Sequence, residues 1–256
     1  MDTSINTRES RNPMPHLSIV IPAYNEEKRL PKTLERMFPY VRSLGYSFEI
    51  VIVDDGSTDR TVAVLQEVST KYPELRIVSD GINRGRGAAV KKGIFEARGD
   101  LVLETDSDGS VADEAIGRFV ARFDAERGID AIFGSRQMRG AVVAVHQPFV
   151  RVFLGYGFIF LTKLLFLMWR TTDFTLGFKM FRRDVARDIF NYQFDPFFVA
   201  EAELVFVAKI RGHHAIEMPV TWVNDEDSRV HPVRDTFRSL RGLAEVLVRY
   251  FYGSYT

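Results

Sequence analysis

Short apolar runs alternate with helix-period patterns through the first half of this 256-residue chain, and no other feature constrains its fold as much. The runs at 17–22, 48–53, 75–79, 100–105 and 130–134 have strand length. The segments at about 31–44, 59–70, 86–97 and 112–125 have the helical period, with Pro31 suited to a first turn and Ser57 or Thr58 placed to cap the helix that follows. Strands separated by helices read as βα units, and these predict an α/β fold: a mostly parallel, Rossmann-like sheet flanked by helices.

The loops after these strands carry the chemistry. Ala23-Tyr24-Asn25-Glu26-Glu27 leaves the first strand, Asp54-Asp55-Gly56-Ser57-Thr58-Asp59 the second, and Asn83-Arg84-Gly85-Arg86-Gly87 opens a helix. In open parallel sheets ligands bind outside the carboxyl ends of the strands. A further run, Leu101 to Leu103, leads into Glu104-Thr105-Asp106-Ser107-Asp108-Gly109-Ser110. Aspartates spaced i, i+2 point the same way from an extended segment, so Asp106 and Asp108 can hold one hard cation, Mg²⁺ or Mn²⁺. Such a cation at the mouth of a sheet usually serves a phosphate-bearing substrate. The plainer alternative is a tight turn that favours aspartate and glycine for conformational reasons. Arg84 and Arg86, among glycines at a helix start, form a natural anion site.

Composition excludes several classes. Lysine plus arginine equal aspartate plus glutamate at 34 each, so charge does not argue for a nucleic-acid partner. Without cysteine there are no disulfides, thiolate metal sites or cysteine nucleophiles. Residues 1–14 are polar and lack the apolar core of a signal peptide, which predicts a disordered lead-in. The histidines show neither zinc spacing nor a Ser-His-Asp set.

The second half differs in kind. Residues 150–170 are almost wholly apolar apart from Arg151, Lys163 and Arg170. The run approaches bilayer length, but Lys163 near its middle weighs against a span. A helix at the membrane surface, ordinary core and a true span all stay open. Further on, Phe237, Leu240, Ala244, Leu247 and Phe251 share one helical stripe, and Arg234, Arg238 and Arg241 flank it. A basic amphipathic helix over 235–252 suits the surface of an anionic bilayer, or else caps the core with its apolar face.

The ordered set Ile19 to Glu26, Val53 to Asp59, Asn83 to Gly87 and Asp106-Ser107-Asp108 resembles the family 2 inverting glycosyltransferases of GT-A fold. Gly134-Ser135-Arg136, Asp173 to Lys179 and Ser228-Arg229-Val230 are similar to the branch that moves one sugar onto a polyprenyl or dolichyl phosphate. Thr175-Leu176 matches the mannose-transferring relatives better. Val223 stands where those enzymes carry a basic residue, and Trp222 and Gly177-Phe178-Lys179 look like the glucosyl branch. The resemblance thus implies glucose from UDP-glucose, with GDP-mannose as donor or a different acceptor as alternatives. Gln137 and Gln193 lack the Gln-x-x-Arg-Trp context of the processive synthases.

The resemblance also implies roles. Asp106 and Asp108 hold the metal, Ser110 completing its shell; Pro22, Tyr24, Glu26, Ile52, Asp54, Asp106 and Ser107 bind the donor. Arg136 and Arg229 hold the acceptor phosphate, the alternative for each being a surface ion pair; Lys179 and Arg182 are weaker phosphate candidates. A phosphate acceptor needs no general base, whereas a hydroxyl acceptor would need one from Asp173, Glu201 or Glu203. Residues 15–140 would bind the nucleotide sugar, 141–228 the acceptor, and 229–256 form the basic helix. The protein would work at the cytoplasmic face of a membrane, peripheral or monotopic.

Overall fold

The computed structural model describes residues 14–143, 149–197, 199–223 and 232–255, without the side chains of 149–154, 156 and 232–237. The predicted lead-in, apart from Met14, and Arg229 therefore lie outside the described residues. The elements run β1 (Leu17–Ala23), α1 (Leu30–Ser43), β2 (Phe48–Asp54), α2 (Thr61–Lys71), β3 (Leu75–Ser79), α3 (Arg86–Glu96), β4 (Leu101–Thr105), α4 (Glu114–Ala125) and β5 (Ala131–Ser135). They continue through β6 (Val142–Val143), α5 (Phe149–Phe166), β7 (Phe178–Arg182), α6 (Arg183–Asn191), α7 (Ala200–Ile210), β8 (Ala215–Pro219), β9 (Thr221–Trp222) and α8 (Pro232–Phe251).

Seven strands form the main sheet in the order β3-β2-β1-β4-β7-β5-β8. All pairings are parallel except those of β7, which runs antiparallel to β4 and β5. A two-stranded ribbon pairs β6 with β9. Every residue of β1 is buried, because a central parallel strand is covered on both faces. Leu17, Ile19 and Ile21 enter the core under α1 and α4, while Val20 faces the core under α3, α6 and α7. The chain moves outward from β1 to β3 and then returns to place β4 on the other side of β1. That reversal opens a crevice at the carboxyl ends of β1 and β4, where a ligand can enter.

The five strands and four helices of the first half stand where periodicity puts them. One detail differs: neither Ser57 nor Thr58 caps α2. The helix begins at Thr61, whose N–H donates to Asp59 (2.9 Å), while the Ser57 hydroxyl accepts the Asn25 N–H (2.9 Å).

In the second half, α5 has two kinds of face. Phe166 stacks on Phe206 of α7 (4.5 Å between centroids) and Thr162 is buried, whereas Phe160 and Leu164 are 61% and 49% exposed. No helix among the described residues is long and apolar enough to cross a membrane. α8 likewise turns Ser239, Leu243 and Val246 inward and leaves Leu240, Val248 and Phe251 in the open.

Candidate active site

The loops that follow β1, β2 and β4 converge on the crevice. After β1, Tyr24 is exposed while Pro22 and Glu26 are buried, and Glu26 pairs with Arg29 (2.5 Å). Ile52 lies beneath them, fully buried. At the end of β2, Asp54 accepts from the Ser57 N–H (3.2 Å) and the Ser79 hydroxyl (2.7 Å). Asp55 acts on the backbone instead. Its two oxygens accept the N–H groups of Arg84 (2.7 Å) and Gly85 (2.9 Å) and so pin the loop before α3. Burial pushes the Asp55 carboxyl up despite those two hydrogen bonds. Beside these residues lies a cavity of about 170 Å³ lined by Asp54, Asp55, Asp80, Ile82, Arg84 and Lys92. Its mixture of acid, base and aliphatic surface suits a polar heteroaromatic ring. Arg84 and Lys92 both pair with Asp80 (2.6 and 3.1 Å).

At the end of β4, Asp106 and Asp108 stand side by side. Asp106 Oδ1 accepts from Arg86 Nε (2.8 Å), and Asp108 Oδ1 accepts from the Ser110 N–H (2.9 Å). The Oδ2 of each has no hydrogen-bond partner among the described residues, so each keeps one hard oxygen that could serve a cation. No third carboxylate or histidine gathers there among the described residues. Such a cation would therefore complete its shell with water or substrate phosphate. Ser107 is buried, its carbonyl accepting the Thr33 hydroxyl (3.0 Å).

Beneath the aspartates is a network of buried charge. Arg86 donates to Asp106, to Glu104 Oε1 (3.1 Å) and to Glu201, while Lys179 donates to Glu201 and to the Leu176 carbonyl (2.6 Å). Burial alone would raise the Glu201 carboxyl, but the Lys179 and Arg86 cations outweigh it and hold it down to about 2. Glu104 is pushed well above the carboxylate range, first by burial and then by the Glu201 charge. The anion site expected at Arg84 and Arg86 is thus already filled by the protein's own acids. Lys179 is fully buried and Arg182 donates to the Ile129 carbonyl (2.8 Å) at the far end of the sheet, so neither faces a ligand in the crevice.

Across the crevice, Arg136 follows β5 and is committed to Asp173. Its Nε and Nη2 fork onto the two carboxylate oxygens (2.7 and 3.1 Å), and Nη2 also donates to the Thr175 hydroxyl (2.7 Å). Its guanidinium stacks over Trp222 at 5.3 Å. Burial alone would raise Asp173, but Arg136 overrides it and holds the carboxyl below its usual range. The Nη1 group of Arg136 has no hydrogen-bond partner among the described residues.

The sequence profile described as "Glycosyl transferase family 2" matches residues 18–190, which hold all of these crevice loops from Pro22 to Asp173. The chain belongs to glycosyl transferase family 2. This family 2 enzyme is 33% identical over 226 residues to the dolichyl-phosphate beta-glucosyltransferase ALG5D of Trichomonas vaginalis, covering 85% of this chain and 69% of that one. It is 29% identical to the human dolichyl-phosphate beta-glucosyltransferase over 95% of this chain and 78% of the relative. In three dimensions it matches glucosyl-3-phosphoglycerate synthase from Mycobacterium tuberculosis, solved with Mn²⁺ and UDP-glucose. The TM-score is 0.67 at 18% identity, over 91% of this chain and 78% of that one. The family 2 enzyme shares that protein's GT-A fold, a mainly parallel sheet between layers of helix.

Sequence reasoning missed the network under the aspartates. Its one visible signal was Glu104, an acid in an otherwise apolar strand, which needs a cationic partner to be buried there.

Proposed function

We propose that this enzyme transfers one glucose from UDP-glucose to dolichyl phosphate or a related polyprenyl phosphate, inverting the anomeric carbon. One observation supports the choice of acceptor class: the three carboxylates that the sequence offers as candidate bases, Asp173, Glu201 and Glu203, are all engaged among the described residues. Glu201 is held by Arg86 and Lys179, Asp173 by Arg136, and Glu203 by the Tyr255 hydroxyl and two backbone N–H groups. A sugar hydroxyl would need one of them free. A phosphate monoester does not: its second pKa is about 6, so it is already a dianionic nucleophile at neutral pH. The names of the relatives support the same acceptor and favour glucose.

The chain's own residues supply position and charge. Asp54 and the cavity beside it receive the nucleoside, with Tyr24 and Glu26 contributing from the loop after β1. Asp106 and Asp108 would hold Mn²⁺ or Mg²⁺, a Lewis acid that neutralises charge on the departing diphosphate. Arg86 fixes the Asp106 carboxylate so that one oxygen faces outward. Arg136, held rigid by Asp173 and Trp222, offers Nη1 to the acceptor phosphate, and Arg229 is its proposed second cation. Positioning and neutralisation carry the rate.

The acceptor's tail stays in lipid, so the crevice must approach a membrane surface. The exposed apolar faces of α5 and α8, with Arg238, Arg241 and Arg249 exposed on α8, suit an anionic bilayer surface. On this reading the enzyme is peripheral or monotopic and acts from the cytoplasmic face. The test is incubation with UDP-glucose, GDP-mannose and other nucleotide sugars in turn, with polyprenyl phosphate in vesicles and Mn²⁺. A glucolipid formed from UDP-glucose is the expected product. Transfer from GDP-mannose alone overturns the donor, and transfer to a soluble hydroxyl but not to the lipid phosphate overturns the acceptor.

A further inference from the structure

The loop joining α6 to α7 is gripped from two sides. On one side it supports the turn that begins α3: the Gly87 N–H donates to the Pro196 carbonyl (2.9 Å). The approach is so close that a Cβ on Gly85 would fall 2.5 Å from the Pro196 oxygen, and one on Gly87 2.8 Å from the Asp195 oxygen. Between those glycines stands Arg86, whose guanidinium orients Asp106.

On the other side the loop is held by Glu203. This carboxylate is 0% exposed. Its Oε2 accepts the N–H groups of Phe194 (3.0 Å) and Asp195 (2.8 Å), and its Oε1 accepts the Tyr255 hydroxyl (2.5 Å). Tyr255, itself buried, lies just past α8, and α8 packs on the same loop. Arg238 stacks over Phe197 (4.0 Å), Arg249 over Phe194 (4.3 Å), and Gly242 abuts Asp195 and Val199. A fully buried acid is costly, and nothing in the transfer chemistry uses this one. What it does is fix the backbone on which the α3 turn rests.

We propose that Glu203 and Tyr255 are positioning residues: through the Gln193–Phe197 loop they hold the Gly85–Gly87 turn, and hence the Arg86 clamp, in the geometry that lets Asp106 bind the divalent cation. The inference rests on the reading of Asp106 and Asp108 as the cation site. It also means that α8, which carries an exposed apolar face, is tied mechanically to that site.

The test is Mn²⁺ titration followed by electron paramagnetic resonance, with UDP present, on the full chain as wild type, Tyr255→Phe and Glu203→Gln. Ile189→Val in α6 serves as a control that loosens the same core away from the loop. Tyr255→Phe should weaken Mn²⁺ binding about tenfold, the lower end for groups that orient metal ligands. Its kcat should fall by a similar factor while KM for UDP-glucose moves less than about twofold. Ile189→Val should lower the melting temperature and leave Mn²⁺ affinity unchanged. If Tyr255→Phe binds Mn²⁺ as wild type does, or if the control weakens binding equally, the positioning role is overturned. Absence of Mn²⁺ binding by wild type would instead overturn the cation reading beneath it. Should Glu203→Gln fail to fold, Tyr255→Phe decides alone.

Discussion

Asp106 and Asp108 each use one oxygen in a hydrogen bond and keep the other without a partner among the described residues, and this division is what a cation site requires. Replacing Asp108 with Asn removes half the anionic charge offered to the metal. Turnover should fall at least roughly 10²-fold, and an Mn²⁺ titration should show the matching loss of affinity. Near-normal turnover in chelator would contradict the assignment. Gly177 gives a subtler probe, because a Cβ there would lie 2.7 Å from Asp106 Oδ2 and overlap Arg86. Gly177→Ala should cost more than about tenfold in kcat and leave UDP binding by calorimetry nearly intact. Arg136 pairs with Asp173 and is also the proposed phosphate ligand, and one substitution would confuse the two. Arg136→Ala leaves the buried Asp173 charge unpaired, at a cost of about 3 kcal/mol, or very roughly 10 °C in Tm for a chain of this size. Arg136→Ala with Asp173→Asn should recover much of that Tm but not the use of lipid phosphate. Recovery of transfer along with Tm would show that Arg136 serves stability alone.

At the scale of elements, the proposed approach to a membrane-held acceptor rests on α5 and α8. Each has an inward face that packs on α7 and an outward face that remains apolar, so the outward residues gain less from folding than the inward ones. Phe160→Glu with Leu164→Glu changes only exposed positions of α5. The double variant should keep its Tm within a few degrees and keep nucleotide affinity. It should bind anionic vesicles less tightly and lose transfer to membrane-embedded acceptor far more than to a short, water-soluble one. Salt should weaken the wild-type interaction only in part, since apolar area persists when charge is screened. Misfolding of the double variant, or wild-type indifference to vesicles at low salt, would make the α5 face structural. β7 also acts as an element: by running antiparallel it brings its first residue, Phe178, beside Thr105, and so sets Gly177 against Asp106. The same reversal carries Arg182 to Leu101 and out of the site.

For the molecule as a whole, Tyr255 links alkaline stability to the tie between α8 and the catalytic layer. Its phenol is pushed above the usual tyrosine range, first by burial and then by the Glu203 charge. The unfolded chain gives up that proton near pH 10, whereas the folded protein keeps it. A raised folded pKa contributes stability that is complete below about pH 10 and is lost as pH climbs past it. The Tm advantage of wild type over Tyr255→Phe should therefore be constant near pH 8 and shrink toward pH 11; a gap unchanged by pH would contradict the linkage. Much of the architecture is legible in the chain itself. The period of the apolar residues is a local property, so β1 to β5 and α1 to α4 can be read off directly. The topology of parallel sheets then brings the loops after β1, β2 and β4 together, so Asp54, Asp106 and Asp108 can be placed in one crevice. Partner choice cannot be read this way. Whether Arg136 meets Asp173, or Arg86 meets Asp106 and Glu201, depends on distances between residues far apart in the chain, which strand order and the direction of β7 establish. The same holds for α8, whose sequence carries apolar residues on neighbouring faces, Leu243 and Val246 on one, Leu240 and Phe251 on the other. Periodicity marks both as apolar; only packing against α7 and the Gln193–Phe197 loop buries one and leaves the other to solvent.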